Sequence, residues 1–316
     1  MLVDIALVLA GLLLLFLGGE GLVRGGVALA ERLGLSKLLI GLTVVAFGTS
    51  TPELLVSVNA AQNGTPDIAL GNVVGSNIAN ILLIAGLSAL IAPILDWKRT
   101  IVRDALVMVF ASLALMALTH GAAIGRLEGA VFLGVLITYL AATYWMEQRE
   151  RTSSVYAEEA AEFEGVALQS PWIAGGFVLG GIAALMFGAD LLVDGAVSMA
   201  RLFGVPDAVI GLTLVAIGTS LPELATSIVA ALRRHSDVVL GNVIGSNIFN
   251  ILAILGITAI IAPIPVSERF RLVETPVMLG VAVVTVLLLV ALRRWNRVVG
   301  AAMLAAYAVY LIWQFV

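Results

Sequence analysis

Ten stretches, near residues 3–30, 37–61, 68–92, 101–119, 124–146, 172–200, 207–232, 238–262, 274–292 and 297–316, are long and apolar enough to cross a bilayer. A hydrocarbon core about 30 Å thick takes about 20 residues of helix. Charges, Pro, Gly or Asn mark every break between them, as expected where a segment returns to water. The expected fold is therefore an all-α polytopic membrane protein with ten transmembrane helices. Composition agrees, with 61% hydrophobic residues, 12% charged residues and a mean hydropathy of +1.09, far more apolar side chain than a water-soluble core needs.

Several function classes drop out. Cysteine is absent, which removes disulfides, thiolate metal sites and cysteine nucleophiles. The net charge of -4 comes without a Lys/Arg run, so nucleic acid is not an expected partner. Membrane lipid is, and no obligate protein partner is indicated. Met1-Leu2-Val3-Asp4 lacks a basic leader, so the first apolar stretch reads as a span and not as a cleavable signal. The 32 glycines fit helices whose backbones approach closely.

The chain is duplicated. Residues 35–94 align with 205–264 without a gap at an offset of 170, with 34 of 60 positions identical. Weaker matches upstream, Leu22-Val23 and Gly25 with Leu192-Val193 and Gly195, extend the unit to about 150 residues and five spans. Because five is odd, the second copy enters the membrane from the opposite side, which gives a 5+5 inverted-topology repeat with its site at the midplane. The expected organisation is a first repeat over 1–146, an acidic linker over 147–171 and a second repeat over 172–316. Lys and Arg set the orientation. Twelve of them, Arg32, Lys37, Lys98, Arg99, Arg103, Arg149, Arg151, Arg233, Arg234, Arg293, Arg294 and Arg297, fall on one side, against Arg126, Arg201, Arg269 and Arg271 on the other. The twelve mark the cytoplasm, which places both termini outside a plasma (cell inner) membrane and the linker, a solvated tether, inside.

The best-matched parts of the copies are also the most polar parts of apolar spans. One run is Gly48-Thr49-Ser50-Thr51-Pro52-Glu53 and its counterpart is Gly218-Thr219-Ser220-Leu221-Pro222-Glu223. A charged carboxylate at mid-bilayer costs about 2.5–3.5 kcal/mol on insertion scales, so Glu53 and Glu223 each need a cation, a proton or water. Proline lacks an N–H and crowds the carbonyl four residues back, on Gly48 and Gly218, freeing backbone oxygen. Broken helices at this depth line cavities and coordinate cations in transporters. Thr49, Ser50 and Glu53, at spacings of four and three, are expected to share one helical face.

The third and eighth spans add Gly71-Asn72-Val73-Val74-Gly75-Ser76-Asn77-Ile78-Ala79-Asn80 and Gly241-Asn242-Val243-Ile244-Gly245-Ser246-Asn247-Ile248-Phe249-Asn250. Ser76 with Asn80, and Ser246 with Asn250, are four apart and point the same way. Two Glu, two Thr, four Ser and two Asn with freed carbonyls supply the six to eight oxygens that Ca²⁺ takes. Na⁺ accepts the same hard ligands, and without cysteine, and with both histidines, His120 and His235, near the ends of spans, Zn²⁺ and Cu are disfavoured. Asn72, Asn242 and the glycines serve as well as ordinary packing groups between helices. Glu20 with Arg24 reads as an ion pair, and Asp190 and Asp194 as groups near a helix end.

These motifs resemble the two alpha repeats of the cation/calcium antiporter superfamily, which includes the sodium/calcium exchangers and their prokaryotic relatives. The resemblance implies secondary antiport of Ca²⁺ against Na⁺ by alternating access, with no enzymatic activity and no cofactor. By that likeness Glu53 and Glu223 are the calcium carboxylates. Thr49, Ser50, Thr219, Ser220, Ser76 and Ser246 serve calcium and sodium sites with Asn80 and Asn250, and the carbonyls of Ala46 and Ala216 face sodium positions. The long first and sixth helices are implied to slide across a fixed core. The chain departs in one respect: several such exchangers carry Asp where it has Asn250, which keeps H⁺ open as the counter-ion. A channel and an intramembrane hydrolase fit less well, since the residues offer neither a ring-lined symmetric pore nor an orienting third group.

Overall fold

The structure is a computed structural model, and it describes residues 1–33, 37–95, 97, 99–151, 170–203, 216–292 and 294–314. Most of the expected linker 147–171 lies outside the described residues, as do 205–215 of the second copy. Among the described residues, eight helices are long and apolar enough to span a bilayer: α1, Leu2–Arg32; α2, Pro66–Ile91; α3, Arg99–Leu118; α4, Arg126–Met146; α5, Pro171–Leu202; α6, Ser236–Ile261; α7, Phe270–Ala291; and α8, Arg297–Gln314. The pair Gly41–Thr49 and Thr51–Gln62 makes a further candidate span, bent by 49°. The apolar helix Leu221–Leu232 is shorter.

Burial sorts these helices into a centre and a periphery. The most apolar windows of α2 and α6 are 67% and 83% buried, against 17–39% for the other six, so α2 and α6 form the centre of the main core. Exposed Phe16, Phe110, Trp145, Phe187 and Ile312 lie on the outer helices, the side that faces lipid. Two ladders of two residues each depart from a purely helical chain: β1 (Ile94–Leu95) pairs antiparallel with β4 (Arg294–Trp295), and β2 (Ala123–Ile124) with β3 (Ile264–Pro265). Each joins a loop of one copy to a loop of the other.

α1 and α5 run antiparallel along a glycine seam. A Cβ placed on Gly11, Gly18, Gly25, Gly181, Gly188 or Gly195 would lie 2.6–2.9 Å from backbone atoms of the facing helix. These six sit seven residues apart within each helix and 170 apart between them. Small residues at that spacing are what let helices approach in lipid. Around the seam, Leu15, Leu22, Ala30, Val178, Leu185 and Ala189 form, with Ile40 and Val45, a cluster separate from the main core.

Two helix ends show one motif with different residues. After Thr51–Gln62, Gly64 takes φ 73° while Gly64 N–H and Thr65 N–H donate to Ala61 O and Ala60 O. After Leu221–Leu232, Arg234 takes φ 59°, with Arg234 and His235 N–H donating to Ala231 O and Ala230 O. Glycine is the usual residue at this left-handed position, and a side chain there costs about 1 kcal/mol.

Gly18→Leu or Gly188→Leu should separate the seam at a cost of about 1–3 kcal/mol, seen as a lower melting temperature in detergent. Gly134→Leu, whose Cβ meets nothing within 4 Å, should leave it unchanged. Arg234→Gly should stabilise by about 1 kcal/mol in the same melts.

Candidate cation site

The first polar run does not continue as one helical face. Ser50, with φ −83° and ψ 8°, separates helices Ala46–Thr49 and Thr51–Gln62, and Pro52 opens the second, where its missing N–H costs nothing. Thr49 and Glu53 therefore sit on differently directed helices, and the Ser50 hydroxyl turns away from Glu53. It donates to Glu223 Oε1 at 2.9 Å. Reciprocally, Ser220 donates to Glu53 Oε1 at 3.3 Å and shares its hydrogen with Ser76 Oγ at 3.2 Å. Each Glu is thus held by a serine of the other copy.

Asn72 and Asn242 fasten this arrangement. The Asn72 amide donates to Glu53 O at 3.0 Å and Ser57 Oγ at 2.9 Å, and its Oδ1 accepts from Thr219 Oγ1 at 3.3 Å. Asn242 donates to Glu223 O at 3.3 Å and Ser227 Oγ at 2.9 Å, and its Oδ1 accepts from Thr49 Oγ1 at 3.4 Å. The signal for these residues in the sequence is the identity of Asn72 with Asn242 and of Ser57 with Ser227 at the offset of 170; ordinary helix packing accounts for the asparagines equally well. The central helices close the cluster: Asn80 Nδ2 donates to Asn247 Oδ1 at 3.1 Å and Asn250 Nδ2 to Asn77 Oδ1 at 3.0 Å. π-helical turns begin at Asn80 and Asn250, a widening that is rare and frequent at functional sites.

The remaining expected residues are placed as follows. Ala46 O accepts from Ser50 N–H at 3.0 Å and from Thr49 Oγ1 at 3.2 Å. Both its lone pairs are thereby engaged. Ala216 opens the helix Ala216–Thr219 immediately after undescribed residues. Ser246, four residues before Asn250, is fully buried.

Bookkeeping of donors and acceptors gives the site its character. Glu53 and Glu223 are each 1% exposed, and neither is in an ion pair among the described residues. Glu53 Oε2, Glu223 Oε2, Asn80 Oδ1, Asn250 Oδ1 and Ser246 Oγ are buried without a hydrogen-bond partner. All five are oxygens. Ser88, Tyr139, Thr143, Thr258 and Trp295 carry the other orphaned buried atoms among the described residues, but only the carboxylates carry charge, and free carboxylate and amide oxygens of this kind suit a hard cation. No group of three or more His, Cys, Asp or Glu occurs among the described residues, which limits the formal charge here to two.

Two other buried carboxylates within spans, Asp104 and Glu274, are both paired. Asp104 accepts from Arg103 at 2.8 Å. Glu274 accepts from Arg269 at 2.9 Å, Gln314 at 3.0 Å and Tyr310 at 3.1 Å. Glu20 pairs with Arg24, as its spacing indicates, and also with Arg233 at the far end of Leu221–Leu232.

Long apolar helices enclosing a buried cluster of oxygens define an integral membrane protein of the transporter class. The match to the sodium/calcium exchanger protein family over residues 3–145 and 173–316 shows that the chain belongs to that family of membrane antiporters. CaxA of Alkalimonas amylolytica is 41% identical over 98% of both chains. The sodium/calcium exchanger MaX1 of Methanosarcina acetivorans is 32% identical, covering 98% of this chain and 99% of that one. The solved sodium-calcium exchanger NCX_Mj, soaked with 2.5 mM Na⁺ and 1 mM Sr²⁺, superimposes with a TM-score of 0.84 at 33% identity over 99% of this chain and 98% of that one.

The contrast between carboxylates is testable by melting in buffer free of Ca²⁺ and Na⁺. Glu274→Gln weakens charge-assisted hydrogen bonds and should cost about 1.5–3 kcal/mol. Glu53→Gln removes a buried charge that has no cationic partner and should not destabilise.

Proposed function

We propose that this antiporter exchanges Ca²⁺ for Na⁺ by alternating access at a midplane site. Glu53 and Glu223 would carry the charge, and Thr49, Ser50, Thr219, Ser220, Ser76, Ser246, Asn80 and Asn250 would complete the oxygen shell. The observation that carries this reading is the set of five unpartnered buried oxygens, one on each of two carboxylates that have no ion pair among the described residues and three on Asn80, Asn250 and Ser246. One Ca²⁺ neutralises two carboxylates and takes six to eight oxygens. On this reading the halves 1–146 and 172–316 form a ten-span, 5+5 inverted repeat joined by a cytoplasmic linker, with both termini outside. Hydrogen bonds that recur at an offset of 170 support it: Asn72 to Ser57 with Asn242 to Ser227, Asn80 to Asn247 with Asn250 to Asn77.

Inside-out vesicles loaded with Na⁺ should accumulate radiolabelled Ca²⁺, and Glu53→Gln or Glu223→Gln should abolish the uptake. Uptake that ignores the Na⁺ gradient sinks the Na⁺ assignment. A second reading, Ca²⁺/H⁺ exchange, is favoured by the same free Oε2 atoms, which a proton could occupy in place of the metal. Dissipating the proton gradient at constant Na⁺ separates the two.

A further inference from the structure

Asn77 and Asn247 are not among the oxygens assigned to the cation, yet each uses all of its side-chain hydrogen-bonding groups. Asn77 Nδ2 donates to the backbone oxygen of Asn247 at 3.4 Å and to Met278 Sδ at 3.5 Å, while its Oδ1 accepts from Asn250 Nδ2 at 3.0 Å. Asn247 repeats the pattern: its Nδ2 donates to Asn77 O and Met108 Sδ, both at 3.3 Å, and its Oδ1 accepts from Asn80 Nδ2 at 3.1 Å. Asn77, Asn80, Asn247 and Asn250 are buried, at 0–1% exposure.

The orientation of each amide follows from what surrounds it. A carbonyl oxygen and a thioether sulfur are acceptors only, so the NH₂ of Asn77 must face Met278 and Asn247 O. Turned over, its oxygen would face two acceptors and Asn250 Nδ2 would lose its own. With Asn77 fixed, Asn250 must turn its NH₂ towards Asn77, which leaves Asn250 Oδ1 as the unpartnered atom. Met108 and Asn247 impose the same choice on Asn80. Each candidate ligand is therefore oriented by an asparagine of the opposite copy.

We propose that Asn77 and Asn247 are positioning residues that make Asn250 and Asn80 present carbonyl oxygen, and not NH₂, to the transported cation. The inference rests on the cation reading of the site. Groups that orient a metal's ligands without touching it typically affect affinity by about 10- to 100-fold when removed.

The test uses the full chain reconstituted in vesicles, with Ca²⁺ flux measured against Ca²⁺ concentration. Asn77→Leu and Asn247→Leu remove the acceptor at similar volume. Each should raise the half-saturating Ca²⁺ about tenfold or more while maximal flux stays within about twofold of wild type. Variants that are not monodisperse in detergent are replaced by Asn77→Ala and Asn247→Ala, with the same expectation. Unchanged half-saturation in both acceptor-free variants overturns the positioning role, as does loss of maximal flux alone. If wild type itself carries no Ca²⁺, the cation reading fails and the inference falls with it.

Discussion

Glu53 and Glu223 are two carboxylates taken out of water with no ion-pair partner among the described residues, and the surrounding structure is organised by that constraint. Desolvating a carboxylate costs several kcal/mol unless a partner compensates. Elsewhere the chain supplies one: Asp104 has Arg103, Glu274 has Arg269 and Glu20 has Arg24 and Arg233. At the centre it supplies one serine hydroxyl to Oε1 of each carboxylate and leaves Oε2 without a partner. On the proposed reading, stability of the centre and occupancy by a cation are linked, since anything that binds only the folded state stabilises it.

Neither copy completes a centre alone. Ser50 serves Glu223, Ser220 serves Glu53, Thr219 serves Asn72 and Thr49 serves Asn242. The small ladders between β1 and β4 and between β2 and β3 tie the same two copies at their loops. The acceptors in these exchanges are carboxylate and amide oxygens, so a substitution in one copy removes a hydrogen bond from a polar group of the other.

The helical architecture and the two Glu were legible in the sequence because apolar length and a mid-span carboxylate are local signals. Reciprocal bonding across the copies was not. Spacing assigns Ser50 to Glu53, three residues on, and only the break at Ser50 redirects it to Glu223. Asn77 and Asn247 were equally hidden, because an asparagine that orients another asparagine looks in sequence like any polar packing residue. The seam of α1 and α5 was half visible: Gly25 and Gly195 matched between copies, but recognising Gly11, Gly18, Gly181 and Gly188 as its other teeth requires the two helices to be seen side by side.

That seam has a mechanical consequence. Glycines seven residues apart recur about every 10.5 Å along a helix at 1.5 Å per residue. Between those registers a bulky side chain of one helix would ride over the backbone of the other, so α1 and α5 have no nearby alternative alignment. Sliding of one against the other is therefore opposed at each tooth of the seam, and their shared apolar cluster reaches the rest of the molecule through Val45 of the bent pair, Ile40 just before it, and Leu221 and Ala225 of the short helix. A push on either long helix is thereby passed to both.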